Sequence, residues 1–331
     1  MRLPIALQKS IEQEASQIPF NSLRTAAAEL SDRYRHQQAS QSRFITTQAH
    51  RLAYAATRMP ATFAAVKTAL TEVRRLLPDL RVESLLDLGA GTGAASWAAI
   101  EVFDQLQRIT LIEQDKDLIE LGRQLAQASD DQSLRSAQWQ LANLKTTREF
   151  PSHDLVALSY SLGEIEAATL RTILQTAWQA ANQALLIVEP GTTRGFETIL
   201  SARNQLIEAG AFVIAPCPNN QICPMADGDW CHFYARFDRS ALHRRLKDGT
   251  MGYEDEKFSY VALAKSPVKT ASARVLRHPL RQAGFTQLQL CDSGGLQTLK
   301  ITKRDKEIWK LARKTDWGDA WGIDAANKLE Q

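Results

Sequence analysis

Cysteine is scarce: the 331 residues contain four, and none before position 217. So few thiols exclude a secreted scaffold held together by disulfides. Long apolar runs are missing too, and no stretch approaches the ~20 residues that cross a bilayer. Aromatics reach only 7%, and neither an internal repeat nor a low-complexity tract interrupts the chain. What is present is ordinary for a folded protein, 44% hydrophobic and 23% charged, which excludes wholesale disorder. The opening MRLPIALQKSIEQEAS brings acidic residues soon after a short apolar patch, unlike a secretion or transit signal. The expectation is a cytoplasmic protein with no membrane partner and, at about 100–200 residues per domain, more than one part.

Charge is unevenly distributed. Residues 1–80 carry a net +5, residues 81–230 a net −9 and residues 231–331 a net +7. An acidic middle between basic flanks suits a core with arms that grip a polyanion. The first 78 residues read as helical, because apolar positions recur every three or four residues in Ile5–Ile18 and Leu52–Leu77. From Arg81 the pattern changes. The runs VESLLDLGAG, RITLIEQD, SAQWQLANL, HDLVALSYSL and QALLIVEPG alternate with helix-compatible segments. That alternation predicts βαβ units and a parallel sheet covered on both faces. The expected parts are an N-terminal helical domain (1–78), a Rossmann-like α/β core (79–212), a cysteine-containing β region (213–302) and a basic C-terminal helix and tail (303–331).

The stretch LLDLGAGTGAASWAA is the most informative in the core. An apolar run delivers Asp87, and Gly89, Ala90, Gly91 and Gly93 then allow a tight turn and close backbone approach to a ligand. A dinucleotide fingerprint would place its third glycine at position 94, which is alanine here. Asp87 would repel a pyrophosphate but suits a cationic amino group, such as the methionine end of S-adenosylmethionine. Glu113 ends the second run, where a carboxylate can take ribose hydroxyls. Asn143 and Leu144 follow the third run within reach of an adenine edge, and Ser159 ends the fourth. The set resembles class I S-adenosylmethionine-dependent methyltransferases.

The four cysteines, Cys217, Cys223, Cys231 and Cys291, are separated by five, seven and fifty-nine residues. None forms the tight pair usual in zinc sites. Spacing alone leaves unrelated thiols, zinc or an iron–sulfur cluster open, with His232 as a possible substitute ligand. The surrounding APCPNNQICPMADGDWCHF has little core-forming character and would benefit from a tie.

Taken together, AATRMPATFAAV, LLDLGAGTGAASWAA, LLIVEPGTTRGFETIL, PCPNNQICPM followed by WCHF, FSYVALAK and ARKTDWGDAWG resemble a known family. These are the methyltransferase-like proteins associated with the mitochondrial small ribosomal subunit, with their bacterial relatives. The resemblance implies a class I methyltransferase sheet with an N-terminal helical domain and a C-terminal metal-binding β extension. It implies a four-iron, four-sulfur cluster on Cys217, Cys223, Cys231 and Cys291, with zinc as the alternative. It also implies a role on or with small-subunit ribosomal RNA or the assembling small subunit, and no DNA partner. Methyl transfer is left open with a leaning toward a class I S-adenosylmethionine-dependent ribosomal RNA methyltransferase; the alternatives are a non-catalytic small-subunit assembly factor and a zinc-binding methyltransferase of a non-RNA substrate. Against transfer to a base, LSYSLGEI lacks the proline loop of enzymes that methylate an exocyclic amine of a flipped base. Tyr160 and Glu164 are the catalytic candidates. The stretch Lys265–Lys314, with 12 basic and 3 acidic residues, is expected to hold RNA phosphates, with Arg274, Arg277 and Arg281 foremost.

Overall fold

The five apolar runs of the middle segment are strands: β1 (Ser84–Leu88), β2 (Arg108–Glu113), β3 (Gln138–Leu141), β4 (His153–Ser159) and β5 (Ala181–Pro190). The structure is a computed structural model describing residues 1–35, 45–163, 165–225 and 228–322. All pairings among these five strands are parallel. Their continuous apolar character is what a sheet buried on both faces requires; β1 is buried at every position. The connecting helices are α5 (Ala94–Ile100), α6 (Lys116–Ala126), the short α7 (Gln132–Arg135), α8 (Ala167–Ala180) and α9 (Thr193–Glu208). Local chemistry sets their starts: Asp115 accepts from the amides of Asp117 and Leu118, and Thr192 from that of Gly195.

The sheet extends beyond the boundary expected at 212. Strands β6 (Phe212–Ala215), β7 (Phe233–Asp238) and β8 (Tyr253–Ala264) all join it, with α10 (Ala241–Leu246) between the last two. The order is β3-β2-β1-β4-β5-β8-β6, with β7 also paired to β8. β8 runs antiparallel to β5, β6 and β7. A dinucleotide-type sheet runs 3-2-1-4-5-6; inserting a reversed strand between the fifth and sixth gives the mixed sheet of the methyltransferase type. The expected separation of a core (79–212) from a β region (213–302) therefore cuts through one sheet.

The N-terminal helices are α1 (Ile5–Ser16), α2 (Phe20–Arg35), α3 (Gln48–Thr57) and α4 (Met59–Leu76). Among the described residues they share a hydrophobic core with the sheet: Leu7, Leu30, Leu52 and Phe63 belong to the same cluster as Leu85, Ile109 and Phe258. They cap the sheet rather than stand apart from it. A second, antiparallel sheet forms from β9 (Ala273–Val275), β10 (Leu280–Arg281), β11 (Phe285–Asp292), β12 (Gly295–Thr302) and β13 (Ala320–Trp321). Helix α11 (Lys306–Lys314) packs Ala312 and Trp309 onto its small core of Val275, Leu288, Leu290 and Ile301.

Candidate functional site

The glycine turn joins β1 to α5. Gly89, Gly91 and Gly93 have φ of +71°, +56° and +86°, in the left-handed region where a side chain is strained. A Cβ on Gly89 would also stand 2.7 Å from the Cβ of Ser161. The amides of Gly89 and Ala90 donate to the Ile112 carbonyl, which ties the turn to β2. Glu113, at the end of β2, accepts at Oε2 from the Gly91 amide (2.9 Å) and at Oε1 from the amides of Gln114 and Asp115 (2.8 and 2.9 Å). Oε2 thus accepts from one donor, Oε1 from two.

Asp87 is fully buried beneath this turn. Its Oδ2 accepts from the Ser96 amide and hydroxyl at 3.2 and 2.9 Å, while Oδ1 has no partner among the described residues. Burial pushes its carboxyl up to about 7 against the opposing pull of the Ser96 hydrogen bonds. An unpaired acceptor below a glycine turn fits a cationic ligand group. Leu144 packs beside Gly89, its Cδ1 3.6 Å from where a Cβ would lie. Asn143 instead turns its Oδ1 back to the Lys145 amide (2.9 Å), so its side chain shapes the local turn.

Ser159 closes β4, and Tyr160 follows at φ +54°. The Tyr160 hydroxyl donates to Glu256 on β8 (3.0 Å), which also takes Arg58 at 3.2 Å. Burial holds the Tyr160 phenol well above its usual range, with the Glu256 carboxylate adding to the effect. A phenol held this way is a hydrogen-bond donor and not a base at neutral pH. Glu189, ending β5, accepts from the amides of Ser161 and Leu162 (3.1 and 2.9 Å). Tyr54 of α3 covers the turn from above, its hydroxyl 3.4 Å from a Cβ at Gly91. Tyr54, Arg58, Glu189 and Glu256 were not anticipated; only folding places α3 and β8 over the strand ends. Glu164 lies outside the described residues.

A second site forms where the two sheets meet. Cys217 follows β6, Cys223 lies in the loop beyond it, Cys231 precedes β7 and Cys291 sits near the end of β11. All four thiols are free and line one cavity that opens to solvent. Among the described residues no three Cys, His, Asp or Glu side chains converge closely enough to hold a single metal ion. Burial and the neighbouring Cys217, Cys223 and Cys291 push the Cys231 thiol far up. Burial, then Cys217 and Cys223, push Cys291 up to about 12. Four thiolates here would be strongly unfavourable without a cation among them. His232 does not line the cavity; its ring stacks on Trp230 (5.1 Å between centroids) and meets Trp317 edge-on (4.9 Å). It is a packed ring whose Nδ1 lies 3.1 Å from the Trp230 carbonyl.

The basic stretch divides on folding. Arg274 is 1% exposed and pairs with Glu72, so it cannot reach a phosphate. Arg277 pairs with Asp229 and the Leu276 carbonyl, and Arg281 donates to the carbonyls of Arg313 and Thr315. These three residues brace the C-terminal sheet, contrary to expectation. The exposed basic side chains left for a polyanion belong to the end of β12, the turn after it and α11: Lys300, Lys303, Arg304, Lys306 and Lys314; Lys310 is paired with Glu307.

The family described as mitochondrial small ribosomal subunit Rsm22 matches residues 48–322. The human protein named ribosome assembly protein METTL17, mitochondrial, is 27% identical over 289 residues, covering 81% of this chain and 61% of that one. Rsm22-cox11 tandem protein 2, mitochondrial, of Schizosaccharomyces pombe is 24% identical over 333 residues, covering 82% and 43%. The chain thus spans about half the length of these curated relatives. Among solved structures, magnesium protoporphyrin IX methyltransferase of Synechocystis PCC 6803 is 14% identical, covering 71% of this chain and 93% of that one at a TM-score of 0.39. These relatives and the family are described as mitochondrial, which contradicts the cytoplasmic expectation drawn from the look of the first residues.

Proposed function

The chain belongs to the mitochondrial small ribosomal subunit Rsm22 family, and on that premise we propose that it is a methyltransferase-like assembly protein of the small ribosomal subunit that binds S-adenosylmethionine and a four-cysteine iron–sulfur cluster. The observation that carries this reading is the cavity where Cys217, Cys223, Cys231 and Cys291 come together from three separate parts of the chain. Four cysteines lining one cavity, with no three side chains close enough for a single ion among the described residues, suit a polynuclear group. A single zinc ion needs its sulfurs about 2.3 Å from one point.

The cofactor fits the glycine turn. Gly89, Gly91 and Gly93 let the backbone approach it, Glu113 Oε2 would take a ribose hydroxyl, and the unpaired Asp87 Oδ1 would meet the cationic end. Leu144 would line the adenine edge. When bound, S-adenosylmethionine supplies an electrophilic methyl group. The basic β12–α11 face would hold ribosomal RNA phosphates.

Assembly is placed ahead of transfer on one specific observation. At the end of β4, where a class I enzyme holds its acceptor, Tyr160 is committed to Glu256 and Arg58 completes the cluster. The transfer reading is tested with labelled S-adenosylmethionine on small subunits from cells lacking the protein. The assembly reading expects cofactor binding by calorimetry, incomplete small subunits in those cells, and no protein-dependent label in RNA. Stoichiometric label in small-subunit RNA would make the chain an RNA methyltransferase.

A further inference from the structure

Two arginines lie against the cysteine cavity, and each is among the most buried charged residues of the chain. Arg203, on α9, is 4% exposed; Arg274, on β9, is 1% exposed. Both line the cavity. The Nη2 of Arg203 donates to the carbonyls of Asn219 and Gln221 (3.0 and 2.7 Å), inside the loop that carries Cys217 and Cys223. The Nε of Arg274 donates to the carbonyl of Pro216 (2.9 Å), next to Cys217, and Arg274 stands directly across the ladder from Cys291. Among the described residues, Nε of Arg203 and Nη2 of Arg274 have no acceptor although both atoms are buried.

A buried donor without an acceptor is costly, and a native structure rarely keeps two around one cavity without use. Four thiolates around a dication, whether zinc or an oxidised four-iron cluster, carry a net charge of about −2, and one-electron reduction adds another negative charge. Such a centre needs cations and N–H donors within a low-dielectric surround. Arg203 and Arg274 are the buried cations at this cavity. Charge-assisted N–H contacts are the stronger kind.

From this geometry we infer that Arg203 and Arg274 balance the charge of the four-cysteine centre, each giving one guanidinium N–H to a sulfur acceptor in the cavity. The inference rests on the four-cysteine reading above. Arg274 is itself paired with Glu72, whose carboxylate cancels part of its charge. Arg203 has no carboxylate partner among the described residues, so it supplies the larger uncompensated charge. Glu72 and Arg203 therefore act on the centre with opposite sign.

That opposition is the test. The full chain is loaded without oxygen, once with ferrous iron and sulfide and once with zinc alone. Metal loss to a chelator is followed in both, and the midpoint potential is measured in the iron-loaded form. Arg203→Gln should speed metal loss about tenfold. It should lower the potential by about 59 mV, which is a tenfold change for one electron. Glu72→Gln should move both quantities the other way. Arg203→Lys keeps the charge but loses the paired carbonyl contacts, and should stay near the wild type. If Arg203→Gln and Glu72→Gln both weaken retention, or Arg203→Lys fails as badly as Arg203→Gln, the arginine only ties the loop and the inference is overturned. If the wild-type chain takes up neither group, the four-cysteine reading falls first and takes the inference with it.

Discussion

Burial raises the Asp87 carboxyl to about 7, which makes this residue a source of pH dependence. The folded state holds the proton more tightly than the unfolded chain, whose aspartate ionises near 3.9. Its contribution to stability is therefore full below about pH 4 and declines as pH rises to about 7, by up to about 1.4 kcal/mol per unit. Asp87→Asn should flatten that part of the stability profile in urea titrations at several pH values, and weaken S-adenosylmethionine binding. Glu113→Ala removes an acceptor of three backbone N–H groups as well as the proposed ribose contact. A loss of roughly 1.5–3 kcal/mol in cofactor affinity is expected for a charged hydrogen bond, and unchanged affinity by calorimetry would remove Glu113 from the site. Asp87, Gly89, Gly91 and Glu113 were legible because turn chemistry and strand ends are local properties. Tyr54, Arg58 and Glu256 were not, since their roles arise from contacts such as the one between Arg58 and Glu256, far apart in the chain.

Helix α4 shows how an element can be read correctly yet misplaced. Its apolar spacing and first-turn proline predict a helix, and Met59–Leu76 is one. Nothing in that pattern says that its buried face covers the sheet, so it reads as part of a separate domain. Phe63 is 1% exposed within the shared core. Phe63→Ala should cost about 3–5 kcal/mol and, because the core is shared, should shift a single cooperative transition seen by both circular dichroism and tryptophan fluorescence. The boundary at 212 was hidden for a related reason. β8 comes some forty residues later and inserts, reversed, between β5 and β6, and strand order is not written in strand periodicity. The basic stretch carries the same lesson: Arg274, Arg277 and Arg281 look like the neighbouring lysines in sequence, but partners on other elements claim them. Reversing Lys303, Lys306 and Lys314 to Glu should weaken small-subunit association and lower its salt dependence by about 0.7 per lost phosphate contact, with cofactor binding unchanged. Co-sedimentation equal to wild type across a salt series would place the RNA contact elsewhere.

At the scale of the molecule, one sheet serves two sites. The mixed sheet presents the glycine turn at its strand ends, and the same β6 that completes the sheet leads into the cysteine loop. Cys291 reaches that loop from the C-terminal sheet, so a group held by all four cysteines would fasten the second sheet to the first. This accounts for an irregular, proline-rich loop lying between two well-packed sheets with little core of its own. The measurement that bears most directly on the account is iron and sulfide analysis of the full chain purified without oxygen, beside the four single Cys→Ser variants. The account predicts about four iron and four sulfide per chain, a visible chromophore, and loss of both in every variant, including Cys291→Ser. A wild-type chain free of iron and sulfide, or a Cys291→Ser variant that keeps its full iron content, would contradict it.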